Sequence, residues 1–125
     1  MSDGCTTTKK DFEVFKKEAD AWLKRFGMLD WRVEYLHNDE NEDARACINW
    51  MTDGRLAQII LTITWDHKPT KRDIQVSAFH EVCELLLGQL RDCAFDRFDI
   101  TRERIDAATH YAVRTLENVV FKPLT

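Results

Sequence analysis

The chain predicts a single α+β domain: an N-terminal helix, a three-stranded antiparallel meander, a motif-bearing central helix and a C-terminal helix. Three observations carry this. Apolar residues recur at helical spacing in three separate stretches. Between the first and second of these lie three short strand candidates rich in β-branched and aromatic residues. An Asp-Gly pair at 53–54 joins the last two of those strands, a strong hairpin signal. A length of 125 residues is enough for one core.

Residues 1–9 are small and polar and are expected to be disordered, leaving 10–125 as the domain. The first helix is expected over Lys10 to Phe26. Phe12, Phe15, Ala19, Trp22, Leu23 and Phe26 form its apolar stripe, and Gly27 follows as a left-handed cap. The strands are expected at Trp31–Leu36, Ala44–Met51 and Leu56–Trp65. In the third, Ala57, Ile59, Leu61, Ile63 and Trp65 share one face. Their close linkage makes the meander the economical topology. His37 to Asp43 reads as an acidic loop, and Asp66 to Thr70 as a break. Thr70 or Asp73 caps the central helix, which runs to about Leu90 with a stripe of Val76, Phe79, Cys83, Leu86, Leu87 and Leu90. An acidic, aromatic connector is expected from Arg91 to Ile100. Thr101 opens the last helix, whose stripe is Ile105, Ala108, Ala112, Leu116 and Val119 or Val120, and Lys122-Pro123 ends it.

Composition narrows the function. The net charge of -4 provides no global basic field, which argues against nucleic acid as the main partner. No apolar run approaches the ~20 residues of a membrane-spanning helix, and the first residues lack a signal-peptide core, so a cytoplasmic protein is expected. The four cysteines form no CxxC pair and are expected to be free thiols, Cys83 as core filler.

The chemistry concentrates in the central helix, at Phe79-His80-Glu81-Val82-Cys83-Glu84. Residues four apart share a helix face, so His80 and Glu84 can point at one atom, with Glu81 about 100° around. Two ligands one turn apart, beside a Glu that can take a proton from water, are what a zinc peptidase needs. The same three residues also suit the polar flank of an ordinary amphipathic helix. The segment resembles the HExxH helix of zincin metallopeptidases, with Glu84 in place of the second His, so that it stands as HExxE. Glutamate is a competent zinc ligand.

The order of elements extends the resemblance. A helix, Asp30-Trp31-x-Val33, a strand ending in Trp65, a helix carrying Phe79-His80-Glu81 and a distal helix together look like small zincin-like metallopeptidases of bacteriophage and prophage genomes. The resemblance implies Zn2+ held by His80, Glu84 and a third ligand from the following helix. His110 is the first choice there, with Glu103, Asp106 and Glu117 as alternatives. It also implies Glu81 as the catalytic base. Of the remaining histidines, His37 and His67 fall in expected loops, and His67 could reach the site. An edge strand, Leu56 to Trp65, would hold an extended peptide by strand addition. Replacing neutral His with anionic Glu84 weakens the Lewis acid, so a second reading stands beside the hydrolase: a binding module on a host protein, using the acidic segments His37–Asp43 and Asp92–Asp99. In a third, metal merely clips two helices together.

Overall fold

A computed structural model describes residues 5–95 and 101–121. The α+β architecture is as expected: α1 (Lys9–Arg25), β1 (Arg32–Asn38), β2 (Ala46–Met51), β3 (Leu56–Thr62), α2 (Lys71–Leu86), α3 (Gly88–Phe95), α4 (Arg102–Leu116) and a π-helical turn (Glu117–Phe121). The core is Phe15, Ala19 and Leu23 from α1, Ala57, Ile59 and Leu61 from β3, and Ile74, Ala78, Val82 and Leu85 from α2, with Met28, Trp31 and Trp65 between them.

The sheet is mixed rather than an antiparallel meander. Its order is β1-β3-β2, with β1 parallel and β2 antiparallel to β3. The physical reason lies in β3. Ile59 and Leu61 are buried on one face, and Ile60 and Thr62 on the other. A strand buried on both faces belongs in the centre. The segment 39–45 is long enough to step over one strand position, roughly 10 Å for two strand spacings. The expected edge strand is therefore central, and β2 is the edge that α2 packs against.

Residues 5–8 belong to the domain rather than to a disordered tail. The Thr7 amide donates to the Ile63 carbonyl (2.7 Å), the Trp65 amide donates to the Cys5 carbonyl (2.9 Å), and Thr6 bridges Thr64. This pairing continues the ladder past the end of β3, where the sequence had suggested a longer strand. Thr8 and Asp11 form a capping box on α1, and Thr70 and Asp73 form one on α2.

Two helix faces differ from expectation. The buried residues of α2 are Ile74, Ala78, Glu81, Val82, Leu85 and Leu86, while Val76, Phe79 and Leu87 are exposed. The buried face is thus turned by about one residue, roughly 100°. This happens because α2 packs against α1 on one side and β2 on another, with Ala78 fully buried. In α4, Ala108, Ala112 and Thr115 are buried, but Ile105 and Leu116 are exposed.

The expected connector begins as helix. α2 ends at Leu86 with Leu87 as its C-cap, and α3 starts at Gly88, where a Cβ would lie 2.9 Å from the Trp50 ring. The remainder of that connector, 96–100, lies outside the described residues, as does the Lys122-Pro123 end signal.

Candidate metal centre

α2 places His80, Glu81 and Glu84 together because their spacing stacks them over one turn. One donor atom from each lies within 4.8 Å of the others, and no other such group of three or more His, Cys, Asp or Glu exists among the described residues. His80 Nε2 is 3.5 Å from Glu84 Oε2, with His80 largely exposed and Glu84 about two-fifths exposed. Arg91 Nη1 of α3 approaches the other oxygen, Oε1, at 3.6 Å.

Glu81 stands apart from its neighbours. The turn of α2 that exposes Phe79 carries Glu81 inward, leaving it 4% exposed. Its Oε1 has no hydrogen-bond partner. Burial first, then a hydrogen bond to Glu84 and the charge of Glu84, push its carboxyl up to about 8. Two carboxyls this close, one of them desolvated, cannot both ionise cheaply. A bound cation would relieve that conflict and give the orphaned oxygen a partner. A donor set of one imidazole nitrogen and two carboxylates suits zinc, so the residues present fit the ion that the sequence implied.

The edge strand β2 runs beside this group. The Cys47 thiol on β2 is pushed up by burial and then by the charge of Glu81. Beyond β2, Trp50 donates from Nε1 to Asp92 of α3 (3.2 Å), and Thr52 also donates to Asp92. The open side of β2 has no strand partner among the described residues.

The expected third ligands do not join the group. His110 is exposed on α4 and lines a shallow depression with Phe26, Gly27 and Tyr111. Glu103, Asp106 and Glu117 are likewise exposed, and Asp106 pairs with Arg102 at 4.0 Å. Tyr111 explains the placement of α4. It packs on Arg55, whose guanidinium is sandwiched between the Tyr111 and Trp31 rings (5.2 and 5.3 Å). The third donor of the group is Glu81, which the sequence had assigned only as the base.

The other histidines have structural partners. His37 is in β1 rather than a loop. It shares a hydrogen bond with Thr7 Oγ1 (2.7 Å) and stacks on Phe12. His67 lies between Asp66 (3.0 Å) and Asp73 (3.3 Å), at the start of α2. Asp73 precedes His80 by seven residues, about 10 Å along the helix, so His67 stays clear of the group.

Arg91 and Trp50 are the neighbours that sequence reasoning did not single out. They become visible only once α3 folds back over β2. No signal in the one-dimensional pattern pairs residue 50 with residues 91 and 92.

Of the described helices, none is long and apolar enough to cross a membrane. Comparison with family models, curated proteins and solved structures finds no match for this chain.

Proposed function

We propose that His80, Glu81 and Glu84 hold a zinc ion and that the protein is a metal-dependent hydrolase acting on peptide bonds. The observation that carries this reading is the buried Glu81 carboxyl, whose Oε1 lacks a partner while it sits within 4.8 Å of two other donors. Such an arrangement is costly for folding alone and is the kind of expense retained at functional sites.

When bound, the ion supplies Lewis acidity and lowers the pKa of water on it towards about 7. The chain's own residues do the rest. His80 and Glu84 bind from one turn apart. Glu81 would be drawn to its ionised form by a cation beside it, and that carboxylate can accept and return a proton. It either shares the ion or takes the proton from the attacking water, and the two roles are separable by substitution. The edge of β2 beside the site suits an extended peptide added as a further strand. Hydrolysis adds water across the C–N bond and releases a carboxylate and an amine.

The test is zinc stoichiometry and affinity on metal-stripped protein, by elemental analysis and calorimetric titration. About one zinc per chain is expected, lost in His80→Ala and Glu84→Ala and kept in His110→Ala. Glu81→Gln that keeps zinc but loses hydrolysis identifies a base; loss of zinc identifies a ligand. Wild-type protein that takes up no zinc refutes the proposal.

A binding role on a host protein is the alternative. What favours it is the open outer face of the sheet, where the exposed Met51 and Leu56 line a groove with Arg32 and Glu34. The acidic loop supports it less, because Asp39 there is occupied by the Thr64 amide and hydroxyl. In that role Glu81→Gln leaves partner binding intact.

A further inference from the structure

We propose that Arg91 anchors a substrate carboxylate at this site, so that the preferred substrate is a peptide cut next to its free C-terminus. The inference rests on the hydrolase reading above and narrows its substrate.

Arg91 is one carboxylate away from the metal-binding face. Its Nη1 meets Glu84 Oε1 at 3.6 Å, and Glu84 Oε2 meets His80 Nε2 at 3.5 Å. The guanidinium is also held by aromatic faces. It lies over Trp50 at 5.7 Å and over Phe95 at 5.6 Å. Trp50 is itself fixed by Asp92 and by its contact with Gly88. A guanidinium gripped by rings keeps its plane, and its five N–H donors form the fork that matches a carboxylate. The side chain remains 53% exposed, so an incoming group can reach it.

Charge and length agree with this assignment. Glu84 would repel an anionic substrate end, and Arg91 is the cation set directly against it. A terminal carboxylate lies one residue, about 3.8 Å, beyond the last peptide carbonyl. Arg91 and His80 flank the same Glu84 carboxylate, one on each oxygen, at 3.6 and 3.5 Å. A carboxylate on Arg91 therefore leaves the last peptide bond over the His80 face.

The experiment uses the zinc-loaded full-length chain and two pools of random hexapeptides, one with free C-termini and one amidated, read by mass spectrometry. The expected result is loss of the C-terminal residue from the free-acid pool, roughly tenfold to a hundredfold faster than from the amidated pool. Arg91→Gln erases that preference, and Arg91→Lys restores part of it. Zinc affinity stays within about threefold in both variants, which separates anchoring from a structural role. Equal cleavage of the two pools, or a preference that survives in Arg91→Gln, overturns the inference while the hydrolase reading stands. Zinc binding without cleavage of either pool overturns both, and absence of zinc binding refutes the metal site itself.

Discussion

Replacing Glu81 with Gln is expected to stabilise the metal-free protein at neutral pH. The buried carboxyl sits at about 8 in the folded chain, against an ordinary value of 4.5. A raised carboxyl contributes its full stability below the unfolded value and loses it as pH rises towards the folded value. At about 1.4 kcal/mol per pH unit, the passage from pH 4.5 to pH 7 withdraws about 3 kcal/mol. Relaxation around the site and entry of water make that figure a ceiling. Gln keeps the size of the side chain and cannot ionise in either state. The difference between Glu81→Gln and wild type should therefore be near zero at about pH 4, a few kcal/mol at pH 7, and level above pH 8. Urea unfolding followed by tryptophan fluorescence in the presence of a chelator measures it. With a slope of roughly 1–3 kcal/mol per molar, the midpoint at pH 7 rises by up to about 1–3 M. Adding zinc in place of the chelator should raise the wild-type midpoint. A Glu81→Gln variant that is equally or less stable than wild type at pH 7 would refute the reasoning, because the carboxyl would then be solvated or partnered rather than stranded.

Other outcomes follow from the packing. Arg55 has a left-handed backbone (φ 51) and lies between Trp31 and Tyr111. Arg55→Ala loses both ring contacts and keeps the strain, so thermal unfolding should place it about 1 kcal/mol below Arg55→Gly. Gly88→Val forces the Trp50 ring from its seat, with an expected cost of about 1–3 kcal/mol and a shift in Trp50 fluorescence. Asp39 and Asp73 are held below the usual carboxylate range, each chiefly by a backbone N–H, from Thr64 and Thr70 respectively. Their contribution is complete above about pH 4 and is lost as pH falls through their native values. Asp39→Asn and Asp73→Asn should each make the acid limb of the stability profile shallower. Phe15→Ala, at a fully buried position in the core, should cost about 3–5 kcal/mol in a urea titration.

The sequence by itself determined the local elements and the local chemistry. Helical spacing, the Thr8 and Thr70 caps and the Asp53-Gly54 turn act within a few residues, so α1, α2 and the β2–β3 hairpin were legible before any packing was known. The clustering of His80 with Glu84 was equally local, being one turn of helix. Strand order was decided by tertiary structure, because it depends on which strand is buried on both faces, and the buried Thr62 hydroxyl reaches the Ala44 carbonyl only when the 39–45 segment crosses over. So was the orientation of α2. Its sequence offers two apolar stripes about 100° apart, and contact with α1 and β2 selected the one containing Ala78 and Val82. That choice buried Glu81 and turned a flanking carboxylate into the third donor. His110 follows the same logic: Tyr111 and Trp31 share the Arg55 guanidinium across more than fifty residues of chain, and α4 so held leaves His110 outside the His80, Glu81 and Glu84 group. No spacing rule within one helix reports a contact made that far along the sequence.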